Sequence, residues 1–214
     1  MARFATFLFD LDGTLVDHFA AIHRSHSHTM RQLGLPAPTM TQVRAAVGGG
    51  LELAIERLVG PARLAEALPI YRKYWDATML DDVTLLPGAR ELLSALHARG
   101  AKLAVFTNKV GGSSRIICDH LGIAPLLSGI FGAKDTPWLK PQPEFAMHVL
   151  TQLGATPGTT LLVGDSPFDV QAAHNGSFAC WAVATGTHTA EELRAAGADK
   201  VFLDLPALGR ELAG

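Results

Sequence analysis

The chain has 214 residues, 48% of them hydrophobic, and 18 lysines plus arginines against 20 aspartates plus glutamates leave a formal net charge of −2. Such a length and apolar content support a packed core without disulfide or metal staples, and the near-balance of charge excludes both the basic field of a nucleic-acid binder and an acidic tail. The two cysteines, Cys118 and Cys180, have neither CxxC nor CxxH spacing, which points to reduced thiols and a cytoplasmic setting.

The first apolar run, FATFLF over residues 4–9, is cut off by Asp10. It is too short for the core of a signal peptide, and no later run approaches the roughly 18 apolar residues of a membrane span. It reads as a buried strand that ends in Asp10 and Asp12, two acids separated only by Leu11, ahead of the turn at Gly13 and Thr14. Two carboxylates so close repel each other, so either a cation lies between them or one retains a proton.

Residues 17–82 contain no convincing strand. LELAIERLVG (51–60) and ARLAEALPIYRKYW (62–75) carry apolar residues at three- and four-residue spacing, the pattern of amphipathic helices. This stretch is read as a helical insert. Within it Gly48 to Gly50 either present backbone N–H groups to an anion, with Gly49 at the centre, or form a flexible turn between helices. Of the four histidines between residues 18 and 28, His18 stands nearest the first acidic turn; their spacing argues against a second metal site.

The chain returns through Pro87 and Gly88 into a helix that ends at Gly100, and four more short runs follow: KLAVFTN, GIFGAKD, TLLVGDS and FACWAV. Strands alternating with helices predict an α/β fold, a three-layer Rossmann-like parallel sheet with an inserted α-helical cap. The expected division is a core of residues 1–16 and 83–214 and a cap of 17–82. Ligands of such sheets bind beyond the carboxyl ends of the strands, where Asp10, Thr107 and Asp165 all fall.

Asp165 ends its strand and Asp169 follows four residues later at a helix start. Acidic turns also serve as plain helix caps, but four carboxylates converging on one sheet edge match the oxygen shell of a hard divalent cation, with Asp10, Asp12, Asp165 and Asp169 as candidate magnesium ligands. Thr107, Asn108 and Lys140 are candidates for holding phosphate oxygens. Taken singly, Thr107–Asn108 also reads as an ordinary turn and Lys140 as a surface charge, and Lys109 competes with it.

The segments DLDGT, FTN, KPQP and GDSPFD, in that order, resemble the four motifs of the haloacid dehalogenase superfamily, in the branch of phosphoglycolate phosphatases and β-phosphoglucomutases. The resemblance implies Asp10 as nucleophile, Asp12 as general acid and base, Thr107 and Lys140 on the phosphate, and Asp10, the Asp12 carbonyl, Asp165 and Asp169 on Mg2+. It ranks Lys140 above Lys109 and gives Gly49, in the cap loop, a place against the substrate. An acid at Asp12 separates phosphatases from dehalogenases, which lack it. A cap histidine of the mutases falls at Ile22, with His23 adjacent, which favours hydrolysis; Lys73 is the one cap lysine that a Schiff-base hydrolase would need. The implied activity is a Mg2+-dependent phosphatase of a small phosphorylated metabolite, 2-phosphoglycolate first. Sugar-phosphate or nucleotide phosphatase and phosphomutase are the alternatives within the enzymes, and a non-catalytic binding relative the alternative outside them. No nucleic-acid or membrane partner is expected, and the chain is expected as a monomer or homodimer.

Overall fold

A computed structural model describes residues 4–213; the outermost residues of the expected core, 1–3 and 214, lie outside them. Strand β1 (Thr6–Phe9) leads into a short strand β2 (Val16–Asp17) and then four helices, α1 (Phe19–Gln32), α2 (Met40–Ala46), α3 (Leu51–Val59) and α4 (Leu64–Thr78). After β3 (Thr84–Leu85) come α5 (Ala89–Ala98), β4 (Lys102–Val110), α6 (Gly111–His120), β5 (Gly129–Ala133), α7 (Pro143–Leu153), β6 (Thr160–Gly164) and α8 (Pro167–Asn175). The chain ends with β7 (Ala179–Val183), α9 (Ala190–Ala195), β8 (Lys200–Phe202) and α10 (Leu205–Ala213).

Six strands form one parallel sheet in the order β5-β4-β1-β6-β7-β8. Its two faces follow from the period of two along each strand. Phe7, Phe9, Leu103, Val105, Leu161 and Val163 join one apolar cluster with residues of α5, α6 and α10. Leu8, Ala104, Phe106 and Leu162 join the other, with Phe145 and Val149 of α7 and Val170 of α8. The result is the three-layer α/β architecture expected from the sequence.

The five expected strands are present. The structure adds β8, three residues long at the sheet edge, and the antiparallel ribbon of β2 with β3, which pairs Val16 with Leu85 and Asp17 with Thr84. Runs of two or three residues are too short to carry a period, so neither could be read from the sequence. The ribbon brings the two ends of the helical stretch side by side. Between its arms α1 to α4 pack on one another, α2 opening on a Thr39–Gln42 capping box.

Buried on α1, His26 lies against Tyr71 of α4 with ring centroids 4.7 Å apart. Burial pushes its pKa down from 6.5 to about 4, with His23 adding to the effect. The unfolded chain therefore binds a proton at pH values where folded His26 stays neutral. Stability contributed at this site is complete above the unfolded pKa and falls as pH drops from about 6.5 towards 4, by about 1.4 kcal/mol per pH unit. Urea unfolding across this window is expected to show that slope, and His26→Phe to flatten it; an unchanged slope in the variant would place the proton uptake elsewhere.

Candidate active site

Strand β1 lies between β4 and β6, so the carboxyl ends of the three strands are neighbours. Asp10 follows directly on β1, its N–H donating to the Val163 carbonyl at 2.9 Å. Thr107 is the sixth residue of β4, and Asp165 follows the last residue of β6. Gly13 turns the chain with φ +85°, and a Cβ there would stand 2.8 Å from Asp165 Oδ2 and 2.8 Å from Gly186 Cα. Only glycine suits that combination of backbone and space.

Carboxylate oxygens of Asp10, Asp165 and Asp169 lie within 4.8 Å of one another. One ammonium serves the cluster: Lys140 Nζ is 2.6 Å from Asp169 Oδ1 and 3.0 Å from Asp10 Oδ1. Lys140 is buried, so burial opposes its charge, but Asp10 and Asp169 outweigh that and hold its pKa above the usual lysine range. Asp169 spends its other oxygen as the cap of α8, accepting from Ser166 N at 3.0 Å and Ser166 Oγ at 2.6 Å. Asp165 accepts from Thr14 Oγ1 at 3.0 Å and Thr187 N at 3.2 Å.

The surplus of negative charge shows in the titration of the acids. Burial pushes the Asp165 carboxyl well above the usual range, and Asp10 and Asp169 push it further. Asp10 is also raised, by burial first, with Lys140 and Thr107 opposing and Asp169 adding. Its Oδ1 is buried without a hydrogen bond, since Lys140 makes an ion contact and not an aligned one. Three clustered carboxylates with one ammonium, which reaches only two of them, and a buried carboxylate oxygen in need of a partner are what a divalent cation would satisfy. The donors are all hard oxygens, the chemistry that suits Mg2+.

The Asp12 side chain faces elsewhere. Its Oδ2 accepts from Lys109 Nζ at 2.7 Å, and its Oδ1 stands 3.4 Å from His18 Nδ1. Burial raises its pKa, but Lys109 and then His18 more than compensate and hold the carboxyl well below the usual range. His18 is itself fixed: Nε2–H donates to the Met79 carbonyl at 2.5 Å. With Nε2 engaged by Met79, Nδ1 is the ring nitrogen that faces Asp12 Oδ1, and neither atom has another partner. That contact is attractive only with a proton between the two.

Of the other expected residues, Asn108 lies beside Lys140 but its side chain is fully committed. Its Nδ2 donates to the carbonyls of Gly48 at 3.1 Å and Lys140 at 3.0 Å, and its Oδ1 accepts from Lys140 N at 2.7 Å. It braces the Lys140 segment and the glycine loop. Gly48 and Gly50 line the cavity in front of Asp10, whereas Gly49 does not. A Cβ on Gly49 would stand 2.4 Å from Leu53 Cδ2 and 3.2 Å from Phe168 Cζ. Ile22 lines the cavity, His23 turns away to bond the Pro38 carbonyl at 2.8 Å, and Lys73 is exposed outside it.

Lys109, Thr14, Thr187 and Trp75 were not among the expected site residues. Lys109 had a signal, since residues 107 and 109 of one strand share a face; Thr14 and Thr187 sit in Gly–Thr turns after strands, a weaker one. Trp75 belongs to the wall that α1, α3 and α4 raise over the strand ends, enclosing a cavity of 270 Å³. Its ring lies 4.4 Å from Lys109 Nζ, and its Nε1 donates to Ser113 Oγ at 3.3 Å. Arg44 Nη1 donating to Gly186 O at 2.9 Å and Glu52 paired with Lys134 at 2.8 Å tie the helices to the sheet side as well.

Residues 7–183 match the family model described as haloacid dehalogenase-like hydrolase. A phosphoglycolate phosphatase of Caulobacter vibrioides is 32% identical over 94% of this chain and 89% of that protein. A 5′-nucleotidase of Pseudomonas aeruginosa is also 32% identical, over 98% of this chain and 96% of its own. The crystal structure of a predicted phosphoglycolate phosphatase from Haemophilus somnus superposes with a TM-score of 0.93 at 26% identity, covering 99% of both chains.

Proposed function

The chain belongs to the haloacid dehalogenase-like hydrolases, and from that premise we propose that it is a Mg2+-dependent phosphatase that cleaves a small phosphomonoester through an aspartyl-phosphate on Asp10. The observation that carries the reading is the cluster of Asp10, Lys140, Asp165 and Asp169 at adjoining strand ends beneath one cavity. We take α1 to α4, within residues 17–82, as a cap over a core of 1–16 and 83–214.

Asp10 and Asp165 would hold the metal with the Asp12 backbone carbonyl; Asp169, expected as a ligand too, belongs to the same cluster but has its oxygens on Lys140 and Ser166, and we place it behind the ion, holding Lys140. Bound there, Mg2+ would offset phosphate charge that otherwise repels a carboxylate nucleophile. Asp10 then attacks in line. Lys140 and the Thr107 hydroxyl bind the transferring oxygens, and Asn108 keeps the Lys140 segment in place through backbone contacts. Phosphate entering the cavity competes with Asp12 for Lys109, which frees Asp12 to carry a proton to the leaving alcohol and later to take one from water. His18, fixed by Met79, keeps the other Asp12 oxygen in register.

A small phosphorylated metabolite as partner and a cytoplasmic setting belong to the proposal; among the described residues no helix is long and apolar enough to cross a membrane. The names of the relatives make 2-phosphoglycolate the reference substrate and a nucleoside monophosphate the second to try. With His23 turned to Pro38, hydrolysis is favoured over mutase chemistry. EDTA is expected to abolish hydrolysis of p-nitrophenyl phosphate and added Mg2+ to restore it. Full activity in chelator would sink the metal site.

A further inference from the structure

The wall facing Asp10 is made by Ile22, Val47, Leu51, Ala54, Tyr71 and Trp75. The alcohol expelled from phosphorus as Asp10 attacks from the opposite side would lie against these side chains. The cationic side chains that reach the same cavity each have a carboxylate partner, and the one nearest Asp10, Lys109, turns to the phosphate in the proposed mechanism. Lys109 is held by Asp12 at 2.7 Å, and Arg72 by Glu52 at 3.1 Å, a carboxylate that also takes Lys134. Arg72 and Asp76 sit exposed at the mouth, where Asp76 adds negative charge. His26, the remaining basic side chain of the lining, is kept neutral by burial.

A carboxylate on the leaving group would therefore lose its water against an apolar wall and find no unpaired cation among the described lining residues. An apolar group would gain by the same burial. We propose that the cavity selects phosphomonoesters of an uncharged, apolar alcohol, with Ile22, Leu51 and Ala54 as the residues that set this preference. The proposal rests on the phosphatase reading and departs from the reference substrate: 2-phosphoglycolate carries its negative charge to the place where the wall is least able to receive it. The cavity of 270 Å³ leaves room beside a phosphoryl group for an alcohol longer than two carbons.

A series of n-alkyl phosphates from methyl to pentyl tests this cleanly, because the leaving alcohols differ little in acidity while their apolar surface grows. The value of kcat/KM is expected to climb by up to about fourfold per methylene, the factor that about 0.8 kcal/mol per buried CH2 provides, until the cavity is full. Pentyl phosphate should exceed 2-phosphoglycolate by about tenfold or more. Leu51→Lys, which brings an ammonium to the wall, should reverse that ratio. Ala54→Leu should stop the climb at a shorter chain. A flat series, or 2-phosphoglycolate preferred by the native protein, would overturn the proposal while leaving the phosphatase reading intact. Absence of turnover with every ester, p-nitrophenyl phosphate included, would overturn both.

Discussion

Asp10→Asn is expected to lose turnover by roughly 10⁴-fold or more, the scale seen when a covalent nucleophile is removed, and to form no phosphoenzyme. Asn is nearly isosteric, so the fold should persist. The loss would arise because the amide oxygen is a poor nucleophile and because one of the three clustered carboxylates has gone. Asp12→Asn separates the two roles. Its side chain contacts Lys109 and His18 and takes no part in that cluster, so the nucleophile stays in place and only proton transfer fails, a loss of about 10²–10⁴-fold. With p-nitrophenyl phosphate, whose leaving group hardly needs a proton, Asp12→Asn should still phosphorylate Asp10 and then stall, giving an intact-mass increase of one phosphoryl group on the Asp10 peptide. Near-normal turnover in Asp10→Asn, or a phosphoryl group mapped to another residue, would refute the assignment.

Lys140→Met should be the most destabilising single change at the site. Lys140 is buried at 3% relative exposure and supplies the one ammonium shared by Asp10 and Asp169. Methionine has a similar length and would fill the space beside Phe106, so packing is largely conserved. What is lost is the positive charge that compensates Asp10 and Asp169 beside Asp165. Removing one partner of a buried ion pair typically costs about 3–5 kcal/mol, since the remaining charges are left uncompensated. In urea the metal-free variant should unfold at a clearly lower midpoint than the native protein. Added Mg2+ should restore part of the difference, because a divalent cation can take over charge compensation but cannot occupy the place of the ammonium. Phosphatase activity should remain low with metal present. A midpoint within error of the native value would mean that the carboxylates are neutral in the folded protein and that Lys140 is not what balances them.

The two substitutions also separate the local from the collective part of the site. Asp10→Asn is expected to spare the structure and not the chemistry. Lys140→Met is expected to harm both, because the ammonium proposed to meet phosphate also compensates Asp10 and Asp169 in the metal-free protein.

The layered α/β fold and the strand ends that bear the site were legible in the sequence because they depend on local patterns. Apolar runs such as TFLF and TLLVG recur between helical stretches, and alternate residues of each run must serve opposite faces of a covered sheet. The acids could be singled out for the same reason: a carboxylate at the end of a buried run is costly unless something compensates it. Tertiary structure decided which groups compensate one another. Lys109 reaches Asp12 across 97 residues and Lys140 reaches Asp169 across 29. These pairings exist because the sheet order sets β4 and β6 on either side of β1, and no local pattern encodes that order. Asn108 illustrates the limit. Its place beside Thr107 marked its backbone N–H for a phosphate oxygen, and only the fold shows that its side-chain amide braces the Lys140 segment and Gly48. Gly49 likewise falls between Leu53 and Phe168 while its two neighbours line the cavity, a difference of one residue that only packing settles. The pattern of residues determined which groups had to meet at the sheet edge. The folded chain determined which partner each of them holds before substrate arrives, because a donor or a charge paired with a distant group must exchange that partner to meet a substrate.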